Sequence, residues 1–282
     1  MLSEVLMPPI DPKAASAFSV VRSFPAIPTV CLGIFAVALA ISSSATKAAC
    51  WVVLLSALVS SIAGFAFSPI AGAFLFHSLS EPITIVRILL VASIAQQVYC
   101  VWRLRESIEM RRCAPYLFGS ILTLPIGLHL LCNTSASTLL PMLGALLITY
   151  GTFTALKPTL RSGKNPLWGR ITVGALGGIT GGLAAFPAAF VSMWCHVQGF
   201  DKHRARAIIQ PFILVNQLLS LSLLMVLRPP EAMPLGLLFY AAPAVLGAYV
   251  GLMIFNRVDT ATFNRIVGLL LMAAGIGFVR PL

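Results

Sequence analysis

Apolar stretches of about span length alternate with short polar loops along most of the chain, near 49–79, 82–103, 114–131, 136–157, 167–198, 204–227, 235–255 and 261–279. A hydrocarbon core roughly 30 Å thick needs a helix of about twenty apolar residues. The pattern therefore predicts an all-α polytopic membrane protein. Two stretches, 49–79 and 167–198, are too long for one simple span. Each contains a small-residue run that ends in proline, GFAFSP at Pro69 and GGLAAFP at Pro187. A proline deep in an apolar helix removes a ladder hydrogen bond and crowds the preceding turn. Each long stretch should therefore be two shorter helices joined by an irregular, re-entrant break.

The two broken stretches also match each other. Gly64 and Pro69 align with Gly182 and Pro187, Ala95-Gln96-Gln97 with Val215-Asn216-Gln217, and Gly127, Gly144 and Gly151 with Gly251, Gly268 and Gly275. Ordered blocks in register predict a duplication, with about three spans following each break. The expected organisation is an N-terminal extension (1–48), a first transmembrane repeat (49–157), a basic cytoplasmic connector (158–166) and a second repeat (167–282). Within the extension, residues 25–44 are apolar enough for an additional span. A cleaved signal peptide fits less well there, because the apolar run starts late and no tight basic region precedes it.

Loop charge bears on how the repeats are related. The loop at 102–112 carries Arg103, Arg105, Arg111 and Arg112, while its counterpart near 228–231 has one arginine. The loop at 78–82 has no basic residue, while its counterpart at 199–206 holds Lys202, Arg204 and Arg206. The loop at 132–137 has none, and its counterpart holds Arg257. Parallel copies would put equivalent loops on one side, with similar charge. Inverted copies put them on opposite sides, and the positive-inside rule then gives this opposition. The inverted arrangement is expected, with the connector residues Lys157, Arg161, Lys164 and Arg170 also cytoplasmic. A rival layout of eight plain spans would leave Lys202, Arg204, Arg206 and Arg257 outside, against that rule.

Composition agrees with this class: 59% of residues are hydrophobic and 10% charged, with mean hydropathy +0.95. A net charge of +11 reports membrane orientation here, not nucleic-acid binding, because the basic residues sit in loops between spans. Cys31, Cys50, Cys100, Cys113, Cys132 and Cys195 are scattered without metal-ligand or redox spacing. No phosphate-binding loop or zinc-protease motif is present, and all eight acidic residues fall in the tail or at segment ends. No catalytic residue, metal site or cofactor is expected. The expected partners are a small anionic substrate and membrane lipid, with homo-oligomerisation left open.

Irregular backbone at membrane depth is tolerated only where protein or a wet cavity surrounds it, so two matched breaks point to one central cavity. Pro69 and Pro187 fit the first turns of the returning half-helices, whose N-terminal N–H groups would favour an anion. Gly64 and Gly182 accompany them, although the pattern Gly177-x-x-x-Gly181, overlapping Gly178-x-x-x-Gly182, equally fits simple close packing. Arg87 lies inside an apolar segment, where it either snorkels to the interface or serves a substrate. Gln97, Asn216 and Gln217, with Gln96, either line the cavity or hydrogen-bond between helices. Lys202, His203, Arg204 and Arg206 read as a cytoplasmic loop that could also steer an anion.

The run Gly174-Ala-Leu-Gly-Gly-Ile-Thr-Gly-Gly-Leu-Ala-Ala-Phe-Pro187, the stretch GFDKHRAR (199–206) and the closing segment 247–278 resemble the sulfite exporter TauE/SafE permeases. GFAFSPIAGAF (64–74) matches more loosely, with Phe65, Phe67 and Ser68 where the family has more glycine. The resemblance covers about 49–279. It implies a multi-pass permease of the bacterial inner membrane for a small anion such as sulfite or an organosulfonate. The readings set against it are a membrane-embedded structural or assembly protein, and an intramembrane enzyme built on His129 and scattered hydroxyls and thiols.

Overall fold

The computed structural model describes residues 26–64, 66–79, 81–156, 165–229, 235–255 and 260–279. The N-terminal tail to residue 25, the connector over 157–164, Glu231, Arg257 and Asp259 lie outside them. Among the described residues the chain is all-helical. It runs α1 (Ala26–Ile41), α2 (Ser44–Ala63), α3 (Phe67–Ser78), α4 (Pro82–Leu104), α5 (Met110–Asn133), α6 (Ala136–Leu156), α7 (Leu167–Ala184), α8 (Ala188–Val197), α9 (Lys202–Leu227), α10 (Ala241–Phe255) and α11 (Thr260–Val279). Both overlong stretches are broken in two, each within a few residues before the proline at the start of the following helix, whereas Pro125, Pro141 and Pro211 sit inside continuous helices. Five helices among the described residues are long and apolar enough to cross a membrane: Pro82–Ser107, Met110–Asn133, Ser137–Leu156, His203–Leu227 and Gly236–Phe255.

The outward surface is apolar, as lipid demands. On α5, Phe118, Leu122 and Ile126 recur at helical spacing and are all more than half exposed. The opposite face of α5 carries Gly119, Ser120 and Gly127, which are buried. Lipid tails offer no hydrophobic drive for helix association, so close backbone approach has to supply it. A Cβ at Gly119 would stand 2.0 Å from the Ile171 carbonyl oxygen, and one at Gly127 2.1 Å from that of Ile179. Both contacts join α5 to α7. From the other side, a Cβ at Gly174 would stand 2.0 Å from the Tyr116 oxygen and one at Gly178 2.3 Å from the Ser120 oxygen. Position numbers rise together on both helices, so α5 and α7 run parallel.

The same pairing recurs with the halves exchanged. Taking α2–α6 and α7–α11 as successive sets of five, the first helix of each set packs on the fourth of the other: α7 on α5, and α2 on α10. Gly247 and Gly251 of α10 lie against Leu54 and Leu58 of α2, again in parallel. The third helices, α4 and α9, pack on each other, as do the fifth helices, α6 and α11. In the α6–α11 pair Gly144 meets Gly275 and Gly151 meets Gly268, so these counterparts run antiparallel. α4 and α9 are antiparallel too, because Arg87 near the start of α4 bonds the Arg228 carbonyl just past the end of α9.

The two breaks end their helices by the same device. α2 stops at Gly64, at φ +88°, whose N–H bonds the Ser60 carbonyl, and α3 follows from Ala66 at φ +80°. α7 stops at Ala185, at φ +54°, whose N–H bonds the Gly181 oxygen, and α8 follows from Pro187. Ala66 and Ala185 are the non-glycine residues of positive φ among those described. A left-handed conformation costs an L-residue on the order of 1–2 kcal/mol, and such strain concentrates at functional sites. Replacing Ala66 or Ala185 by glycine is expected to raise stability by about 1 kcal/mol each, read as a higher melting temperature of the purified protein. An unchanged or lowered melting temperature in both variants would show that neither alanine is strained.

Candidate functional site

The first break's α3 and the second break face each other across a narrow, partly open cleft whose water-accessible volume is about 20 Å³. Ser68 and Pro69, in the first turn of α3, stand on one side, and Ala184 and Phe186 on the other. Leu143, Leu147 and Phe278 close it, and Ser68 is the polar side chain in the lining. Neither α3 nor α8 has a side chain hydrogen-bonded at its N-cap. Their first N–H groups therefore carry the positive end of a helix dipole without a capping oxygen.

Beside this cleft a line of buried polar side chains runs along α9. Arg206, Gln210 and Gln217 are 4%, 1% and 1% exposed, and their spacing puts them on one helix face. The Arg206 guanidinium donates through Nη2 to the carbonyls of Ser61 and Ile62, the latter at 3.1 Å, and lies 3.7 Å from the Phe255 ring centroid. Gln210 Nε2 donates to the Gly64 carbonyl at 3.2 Å. Gln217 Nε2 donates to the Ala185 carbonyl at 2.8 Å. α9 thus holds the first break at one level and the second seven residues on, about 10 Å along the helix. Across from it on α4, Gln96 donates to Ser60 Oγ at 2.6 Å and Ser61 Oγ at 3.0 Å. The carboxamide oxygens of Gln96, Gln97, Gln210 and Gln217 are all buried without a partner.

The residues singled out on the sequence separate into groups. Pro69 lines the cleft, and Pro187 is the N-cap of α8 beside it. Gly64 takes the left-handed position at the first break, where a Cβ would stand 3.0 Å from Arg206 Nε. Its aligned partner Gly182 does something else. It is helical, inside α7, and a Cβ there would stand 2.5 Å from the Leu124 carbonyl of α5. Ala185 holds the left-handed position in the second break. Asn216 accepts from Ser120 Oγ and donates to the Phe212 carbonyl at 2.8 Å, so it ties α9 to α5. Gln97 is buried on α4. Arg87 is half-buried at the opposite end of α4 from Arg206, bonded to the Arg228 carbonyl, and contributes nothing to the cleft lining. Arg228 in turn donates to the Cys132 carbonyl at 3.0 Å.

Sequence reasoning missed the weight of Arg206 and the presence of Gln210. Arg206 looked like one more charge in a basic loop. Asp201, however, caps α9 by accepting from the N–H groups of His203 and Arg204, which puts Arg206 a full turn inside the helix. The aspartate five residues before the last arginine is the signal that could have found it. No carboxylate of a described residue pairs with Arg206. The described acidic residues stay at helix ends: Glu81 caps α4, Glu106 and Glu109 pair with Arg105 and Arg112, and Asp201 caps α9. Among the described residues no cluster of His, Cys, Asp or Glu is arranged to hold a metal ion.

Apolar spans packed through glycines, with two broken helices and buried polar side chains at the breaks, define a multi-pass α-helical membrane protein. The chain belongs to the sulfite exporter TauE/SafE family, whose model matches residues 48–278. Comparison with curated proteins and with solved structures returns no match. The family match leaves α1 wholly outside it.

Proposed function

We propose that the protein is a secondary permease of the bacterial inner membrane that carries a small oxyanion, sulfite or an organosulfonate, by alternating access between two inverted repeats, 49–157 and 167–282. The observation that carries this reading is the meeting of the broken segments at one cleft, with the uncapped N-termini of α3 and α8 beside it. Backbone N–H groups at a helix start recognise compact anions without needing a fixed charge. The antiparallel run of α4 against α9 and of α6 against α11 supports the inverted relation. So does loop placement: Arg112 and Arg204, together with Glu109 and Asp201, line one hollow of about 290 Å³. This brings the basic loops at 102–112 and 199–206 to the same end, the one the positive-inside rule makes cytoplasmic. Rocking one set of helices against the other would expose the cleft to either side in turn. Arg206, buried at the first break, would add a positive potential nearby.

A ligand that binds only the folded protein stabilises it by about 2.7 kcal/mol at a hundredfold excess over its Kd. A thermal-shift series over sulfite, sulfate, thiosulfate, taurine and sulfoacetate, at constant ionic strength, should therefore show a saturable rise for at least one sulfur oxyanion. A flat response to all five would count against the anion site.

A further inference from the structure

We infer that the C-terminal end of α7, at the second break, binds a sodium-sized monovalent cation, with the Gln217 carboxamide oxygen among its ligands. Both breaks expose the negative end of a helix dipole at membrane depth, where carbonyls lack intrahelical partners. At the first break a fixed charge answers it, since Arg206 sits on the Ser61 and Ile62 carbonyls. At the second break the Ala185 and Phe186 N–H groups bond the Gly181 and Thr180 carbonyls, and the Gln217 amide bonds the Ala185 carbonyl. A neutral amide bonds the left-handed residue's carbonyl at both breaks, Gln210 at Gly64 and Gln217 at Ala185, but among the described residues only the first break adds a guanidinium.

The orientation of the Gln217 amide is fixed. The Ala185 carbonyl only accepts, so the nitrogen of Gln217 must face it, at 2.8 Å. Its oxygen is then left buried, in a residue 1% exposed, with no hydrogen-bond partner. A buried acceptor without a partner costs about 1–3 kcal/mol, which a bound cation would remove. The available ligands are carbonyl and carboxamide oxygens, with no carboxylate among the described residues at the break. Calcium and magnesium draw on carboxylates, whereas the carbonyl ends of broken membrane helices suit a monovalent ion. Ala184 and Phe186 of this same break line the cleft, so the cation would lie beside a bound anion and offset its charge. Its role as a coupling ion rests on the permease reading; its binding does not.

The test compares melting temperatures of the purified protein in sodium, potassium and choline chloride at equal ionic strength. Sodium should raise the wild-type value by several degrees, saturably. Gln217→Leu should lose that rise, and Gln217→Glu, which gives up the bond to the Ala185 carbonyl but supplies a charged oxygen to the cation, should reach saturation at several-fold lower sodium. The glutamate variant decides the matter if the leucine variant does not fold. No sodium-specific rise in the wild type, a rise unchanged in Gln217→Leu, or an unaltered sodium dependence in Gln217→Glu would overturn the site. Anion flux into proteoliposomes separates the two readings: flux indifferent to a sodium gradient removes the coupling and leaves the permease. Sodium binding with no flux of any tested anion leaves the site and removes the permease.

Discussion

Gly127→Ala should cost the protein about 3 kcal/mol or more, while Gly33→Ala should leave its stability nearly unchanged. The two substitutions add the same methyl group to a helix. At Gly127 that methyl would stand 2.1 Å from the Ile179 oxygen and 3.0 Å from the Leu183 nitrogen, both backbone atoms of α7. No rotamer change relieves a clash with backbone, so α5 and α7 must move apart along a seam that also includes Gly119, Gly174, Gly178 and Gly182. Overpacking a well-fitted core costs about 1–3 kcal/mol, and separation of two helices held by close approach adds to it. At Gly33 nothing lies within 4 Å of the added atom. Melting temperatures in one detergent check the pair. Equal effects would mean that the small-residue seam does not hold the bundle.

Arg206→Met should lower anion flux at least tenfold, with Arg206→Lys recovering part of it. The guanidinium joins α9 of the second half to the end of α2 in the first, and lies over Phe255 of α10. Methionine fills much of the volume but leaves the Ser61 and Ile62 carbonyls without that donor. Each unpaired buried acceptor costs about 1–3 kcal/mol. The positive charge nearest the first break is lost as well. Lysine restores the charge but not the planar fork that reaches two carbonyls at once. A monodisperse size-exclusion profile for both variants is the necessary companion measurement. Wild-type flux from folded Arg206→Met would remove Arg206 from the transport machinery.

The helices were readable because a membrane span has a fixed minimum length and a polar gap has to end it. The two breaks were readable because stretches 49–79 and 167–198 are too long for one span and each carries a small-residue run ending in proline. Proline alone would not have sufficed, since Pro125 and Pro211 sit inside continuous helices. What hid was the conformation inside the second break. Gly182 aligned with Gly64, yet the left-handed residue there is Ala185, and an alanine in that conformation leaves no mark in a glycine pattern. Gly182 was needed instead for the backbone contact with α5, a demand set by a helix distant in sequence. Arg87 and Arg206 show the same limit with the sign reversed. Both are arginines near the starts of third helices, but tertiary packing brings only Arg206 onto a broken helix end, while Arg87 bonds the Arg228 carbonyl. Gln97, Asn216 and Gln217 were legible as buried polar residues. That Asn216 ties α9 to α5, and that Gln217 has its nitrogen committed to Ala185, depends on neighbours no local pattern names.

The central claim is that an anion crosses at the cleft between the two breaks. Uptake of radiolabelled sulfite, and of a radiolabelled sulfonate, into proteoliposomes holding the wild-type chain measures it most directly, with Ser68→Phe as the variant that fills the cleft. The account predicts saturable uptake above protein-free liposomes for at least one of them, reduced to background by Ser68→Phe in a protein that still elutes as a single species. Uptake of neither anion by the wild type, or unchanged uptake with the cleft filled, would contradict it.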